Sequence, residues 1–242
     1  MIQSFFGGIG TITINPKKRS ARYSVVGIND INNFIVTHFE NYPLQSVKKI
    51  DFDLWKECVN LIINKKDKTQ EGLEQIVAIK SKMNLGLSNL LKKEFPNINC
   101  LDRQTYLTNN DRLDPDWVSG FIEGDGSFYI YIRTKTNHVN AALSIGLNIR
   151  EKPLLIKIQD FFWGMGNVYI YNSRSVVEWK VVKLSQLTSI ASHFYSYPLM
   201  GLKSYNFIIW RDILSLIEIK AHLTSEGLTK IKYLNKQLNK WD

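Results

Sequence analysis

The residues of this chain best suited to chemistry are Val118-Ser119-Gly120-Phe121-Ile122-Glu123-Gly124-Asp125-Gly126. Ahead of them, Asp114-Pro115-Asp116 is helix-start chemistry, with a proline at the entry turn and an aspartate as cap. Residues 117–123 therefore read as a short helix that ends at Gly124-Asp125-Gly126. Gly120 and Gly124 stand four apart on one face, where a second helix backbone or a sheet can approach closely. Asp125 falls at the helix C-terminus, where the macrodipole disfavours a negative charge. A carboxylate there needs a compensating cation, and a divalent metal shared by two facing carboxylates would supply one. Glu123 reads as a packing or capping residue rather than a ligand.

Directly after the motif, Ser127-Phe128-Tyr129-Ile130-Tyr131-Ile132-Arg133 alternates with period two. That is a strand with Phe128, Ile130 and Ile132 inward. Its other face would carry Ser127, Tyr129, Tyr131, Arg133 and, in the following loop, Lys135. A second strand over 139–149 turns Leu143, Ile145, Leu147 and Ile149 inward and adds His138, Asn140 and Ser144 to the outer face. Two later strands bring Asn167, Tyr169, Tyr171 and Lys180. Polar, basic and aromatic side chains alternating off a sheet suit a nucleic-acid groove, since Arg and Asn read base edges while Lys meets phosphate. Outward tyrosines in this number call for a partner.

These elements belong to a unit that is written twice. Ile2-Gln3-Ser4-Phe5-Phe6 returns as Ile158-Gln159-Asp160-Phe161-Phe162. His38-Phe39, Tyr42-Pro43-Leu44, Lys48, Phe52 and Trp55 return as His193-Phe194, Tyr197-Pro198-Leu199, Lys203, Phe207 and Trp210. Thr69, Glu71-Gly72-Leu73 return as Thr224, Glu226-Gly227-Leu228. The register slips by one residue between the first block and the others, so the pattern is a tandem duplication. The second copy has 117–157 at its front, and Met1 opens beyond the place where the first copy would hold the equivalent. The expected organisation is an incomplete first half over 1–95, a polar, Asn-rich linker over 96–116 and a complete second half over 117–242. In the first half the expected strands are 10–15 and 22–26, and the expected helices 31–39, 52–63 and 69–91. Lys17, Lys18, Arg19 and Arg22 would form a basic hairpin tip suited to phosphate contacts. His38 and His193 precede a Phe on helices and read as structural.

The composition agrees with two globular halves: 44% of the 242 residues are apolar. A formal net charge of +9 points to a polyanionic partner. No apolar run is long enough to span a bilayer, and no secretory pattern follows Met1. Cys58 and Cys100 sit at non-equivalent places without metal-ligand spacing and read as thiols of a reducing compartment. Heavy use of Ile, Lys and Asn resembles coding in an AT-rich, mitochondrial-type genome.

The helix 118–126, the aromatic strand behind it and the duplication together resemble the LAGLIDADG homing endonucleases, in particular the double-motif single-chain branch found in organellar introns. The resemblance implies an α+β fold of two pseudo-twofold αββαββα halves, of which the first is N-terminally incomplete here. It also implies Asp125 as a catalytic acid and Mg²⁺ ligand, with Gly120 and Gly124 at a paired-helix interface. Lys203, and Lys48 in the first copy, match the family's lysine near the scissile phosphate. Where the family often has a water-organising glutamine, the register here offers Leu147. Two expectations follow. One is a split enzyme that cleaves double-stranded DNA once a second polypeptide completes the first half. The other is a catalytically inactive derivative that binds structured RNA, as an intron maturase or an organellar ribosomal-RNA-binding protein. Either would act in the mitochondrial matrix.

Overall fold

The computed structural model describes residues 1–84, 86–98, 112–133 and 138–238. They fall into two compact units, Met1–Thr108 and Asn109–Asp242. Cys100, the loop 134–137 with Lys135, and most of the expected linker lie outside the described residues. The end of that linker is structural: Leu113 is buried in the second unit's core, and Asp114 caps the next helix.

The first unit opens with a helical turn α1 (Ile2–Phe5) and a hairpin of β1 (Thr11–Asn15) and β2 (Ser20–Ser24). Ile12 pairs with Tyr23 and Ile14 with Ala21 on one face; Thr11 with Ser24 and Thr13 with Arg22 lie on the other. Helices α2 (Ile28–Asp30) and α3 (Thr37–Asn41) flank a π-helical stretch, Ile31–Val36. Then come α4 (Lys48–Ile63), α5 (Gln70–Lys82) and α6 (Asn89–Glu94). The single helix expected over 69–91 is thus two. Asn84 and Gly86 take φ of 48° and 75°, which an α-helix cannot continue through, and Ser88 Oγ then accepts from Leu91 N–H to start a new one.

The second unit runs α7 (Pro115–Asp125), β3 (Gly126–Ile132), β4 (Val139–Asn148), α8 (Lys152–Phe161), β5 (Asn167–Tyr171), β6 (Val176–Val181), α9 (Leu184–Ser196), α10 (Lys203–Glu218) and α11 (Ser225–Gln237). Its sheet is antiparallel in the order β3-β4-β6-β5. Alternate residues of the strands, among them Phe128, Leu143, Ile145, Val177, Trp179 and Val181, are essentially inaccessible. They pack against Ile122, Leu155, Ile158, Leu187, Ile190, Trp210 and Ile213 of the helices. Trp179 stacks on Phe162 and donates its indole N–H to Met165 O at 2.8 Å.

The duplicated residues recur in duplicated roles. Tyr23 stacks on Phe6 and donates to Ile9 O, as Trp179 does with Phe162 and Met165. Gln3 and Gln159 donate to Gly10 O and Gly166 O, both at 2.9 Å. Thr69 and Thr224 each accept from the glycine N–H three residues on, capping α5 and α11. A Cβ on Gly72 or Gly227 would collide with the carbonyl of Lys66 or Ala221. The Thr-x-Glu-Gly pattern is therefore a helix entry folded tightly back over the preceding turn.

His193 ties α9 to α7. Ser119 Oγ donates to Tyr197 O at 2.7 Å, so at 2.9 Å it accepts from His193 Nε2–H. The ring also packs edge-on to Phe161 and Phe162. Burial lowers the His193 pKa, opposed by the Pro115 carbonyl and Asp116. The folded protein thus binds this proton less readily than the unfolded chain, which gains one as pH falls through about 6.5. Stability is retained above that pH and declines below it. The unfolding midpoint should drop between about pH 7.5 and 5.5, and drop less in His193→Gln. Equal drops in the two proteins would exclude His193 as the source.

Candidate functional site

Asp114 Oδ1 accepts from Trp117 N–H at 3.0 Å and Pro115 occupies the first turn, so α7 begins where the sequence demands. Val118, Ser119 and Ile122 face the core. Gly120 and Gly124 are exposed, and a Cβ on either would meet no atom within 4 Å. Contact with the sheet is therefore not what these glycines serve. Positions 117, 120, 121 and 124 share one helical face, and there Trp117 and Phe121 stack with centroids 4.9 Å apart.

The C-terminus of α7 receives the cation that it needs. Lys203, the first residue of α10, donates from Nζ to Ile122 O at 3.0 Å, Gly124 O at 3.2 Å and Gly126 O at 2.5 Å. An ammonium has three donors, and all three are spent on the helix end. In return Glu123 Oε1 accepts the backbone N–H of Lys203 at 3.0 Å, which caps α10. The other Glu123 oxygen is buried without a hydrogen bond among the described residues. Gly201 leaves room for this carboxylate, because a Cβ there would strike Glu123 Oε1. Burial lowers the Lys203 pKa, and Glu123 and Asp125 partly restore it. Asp125 itself is exposed at the helix end. Its counterpart lysine, Lys48, opens α4 and is exposed, with no partner for its ammonium among the described residues.

α7 passes into β3 with no intervening loop, so Asp125 sits at the rim of the sheet. The pairing sets outward residues in rows. Ser127, Ser144, Lys180 and Asn167 form one row across the four strands. Gly146, Glu178 and Tyr169 form the next, and Tyr131 pairs with Asn140 beyond Tyr129 and Ala142. Arg133 and His138 are exposed where β3 ends and β4 begins. Lys180 Nζ lies 5.4 Å from the Tyr129 ring centre, and Arg174 caps the Tyr171 ring at 4.8 Å. Ser144 shares this face but is buried beneath its neighbours. Leu147 is half-buried and packs against the core, as its inward phase in the strand requires; the outward positions beside it are Gly146 and Asn148. Glu178 and Arg174 escaped the sequence reading, although Glu178 follows from Lys180 by the same period-two step. In the first unit Lys17, Lys18, Arg19 and Arg22 are all exposed, at and beside the β1–β2 turn, with Arg19 at φ 46°.

Among the described residues no three His, Cys, Asp or Glu side chains cluster as a metal site. Mg²⁺ requires several oxygen ligands. The three carbonyls at the end of α7 are already occupied by Lys203, so Asp125 offers one carboxylate and the described residues alone do not fit the ion. Replacing Lys203 by Met should cost about 1–3 kcal/mol in urea unfolding, because a charged cap on three carbonyls is lost. Unchanged stability would rule out the capping role.

The family model for the LAGLIDADG endonuclease matches residues 1–59 and 118–214. The probable intron-encoded endonuclease 3 of Neurospora crassa is 37% identical over 97% of this chain and 44% of its own length. Probable intron-encoded endonuclease 2 of the same organism is 32% identical over 98% of this chain and 54% of its own. The chain thus spans about half the length of these curated relatives. The LAGLIDADG meganuclease I-CpaMI, solved bound to uncleaved DNA, is 36% identical with a TM-score of 0.88 over 99% of this chain and 83% of its own. I-SmaMI, a LAGLIDADG homing endonuclease solved with cleaved DNA, has a TM-score of 0.92 at 28% identity, over 98% of this chain and 80% of its own. With the motif helix, the sheet behind it and the family match in agreement, the chain belongs to the LAGLIDADG endonuclease family.

Proposed function

We propose that this chain binds double-stranded DNA on the outer face of β3-β4-β6-β5 and contributes one acid, Asp125, to a cleavage site made with a second motif helix. The observation that carries this reading is the direct passage of α7 into β3, which makes the acid and the base-reading face one rigid element. Asn140, Asn167, Lys180 and the tyrosines supply base and phosphate contacts there, and Lys17, Lys18, Arg19 and Arg22 supply backbone contacts from the first unit. The open face at Gly120 and Gly124 receives the second helix, which comes from outside residues 1–242, on a second polypeptide in the split arrangement. Asp125 would hold a divalent ion such as Mg²⁺ jointly with that helix's acid, and the ion's Lewis acidity would supply the phosphodiester chemistry. Lys203 fixes the segment that carries Asp125 and keeps a positive charge beside it. Lys48 takes the matching place in the other half. That its relatives are intron-encoded proteins, with one mitochondrial protein among them, supports origin in a mitochondrial intron. An RNA-bound, inactive derivative is the second reading; Leu147, which packs against the core and away from the outer face, does not favour it.

Two measurements test this. The chain, selected against a randomised duplex pool, should enrich one site, and cleavage of it should appear only when a fragment carrying the missing helix and strands is added with Mg²⁺. Asp125→Asn should abolish that cleavage and leave duplex binding intact. Cleavage that survives the substitution, or enrichment of structured RNA over duplex, would overturn the proposal. Separately, the double variant Lys17→Ala, Lys18→Ala should weaken binding to every duplex alike and reduce the log–log salt slope by about 2. An unchanged slope would remove the hairpin tip from the interface.

A further inference from the structure

A carboxylate on a surface meant for a polyanion is costly. Glu178 is one, and it is the single acid among the outward residues of the four strands of the second unit. Its orientation is fixed by its neighbours in sequence, since Val177, Trp179 and Val181 are fully buried and the alternate positions face out. Among the described residues it has no ion pair within 4 Å; Lys180 on the same strand feels its charge, but the ammonium lies over the Tyr129 ring, 5.4 Å from its centre. What holds it is Tyr171, whose hydroxyl donates to Glu178 Oε2 at 3.1 Å. The Tyr171 ring is in turn held under the Arg174 guanidinium. The second carboxylate oxygen, Oε1, has no hydrogen bond among the described residues. Across the β4–β6 pairing stands Gly146, without a side chain and with open space where its Cβ would be. An immobilised acceptor therefore borders a gap about one strand spacing wide, roughly 4.8 Å.

Resting on the duplex-binding reading above, we infer that Glu178 is a specificity-determining residue that selects cytosine in the bound strand. A carboxylate only accepts, and the major groove offers it two donors, cytosine N4 and adenine N6. Adenine presents its N6 beside the N7 acceptor, which suits an amide with both donor and acceptor. Cytosine N4 suits a pure acceptor. The same charge repels phosphate, so the groove is entered in the register that places an amino group over Gly146. Tyr171 is the positioning residue that keeps the acid pointed there.

The test compares the full chain with Glu178→Gln, both selected against the same randomised duplex pool and sequenced. Glutamine keeps the shape and an oxygen for Tyr171 but adds a donor. One base position should change from cytosine preference to adenine or no preference, with discrimination falling about fivefold to tenfold there. Tyr171→Phe should relax the same position and no other. An affinity increase spread evenly over all sequences, with an unchanged base ranking, would mean that Glu178 only repels phosphate, and the inference would be overturned. Failure of the parent chain to retain any duplex would instead overturn the duplex-binding reading on which it rests.

Discussion

A helix that ends in an aspartate carries two negative ends at once, the unpaired carbonyls of its last turn and the side chain itself. The structure resolves this with one lysine. Lys203 threads its ammonium into the end of α7 and takes up three carbonyls, and Glu123 repays the contact by capping the helix that Lys203 begins. Each helix thus neutralises the other's terminus. The Tyr-Pro-Leu segment before Lys203, the glycine at 201 and the His193–Ser119 hydrogen bond all serve to place these two ends together. Everything that the acid at 125 can do depends on this junction.

The duplication makes sense in the same terms. Much of what recurs is a set of backbone solutions. The glycines at 10 and 166 have φ of 72° and 75°, and Lys65 and Lys220 have φ of 56° and 59°. Gly72 and Gly227 admit a carbonyl where no Cβ would fit. Such positions tolerate few residue types, so they persist as readable matches. In the first unit Ile12 and Ile14, on the apolar face of a two-stranded hairpin, are exposed; of their counterparts in β5 of the four-stranded sheet, Val168 packs against the core while Ile170 stays exposed.

On the proposed duplex-binding reading, the outer sheet face of the second unit balances attraction with selection. Arg174, Lys180 and the tyrosines favour a polyanion regardless of sequence, and cation–π contacts keep the cations ordered. Glu178 works against that attraction at one point, and its hydrogen bond to Tyr171 holds the carboxylate in place. Uniformly positive surfaces bind well and discriminate poorly.

Much of this was legible in the chain itself. Period-two alternation placed Phe128, Leu143 and Ile145 in the core, proline and aspartate marked the start of α7, and the spacing of Gly120 and Gly124 marked one helical face, because each signal is local and carried by the type of a few residues. The break at Asn84 and Gly86 was missed because it is a conformational choice within a sequence that is otherwise good helix. Two further facts belong to tertiary structure alone. Lys203 reaches a helix some eighty positions earlier, and Glu178 finds Tyr171 across a strand pairing. Residue type and spacing determine which face a side chain takes. Only the packing of distant segments decides what it meets there.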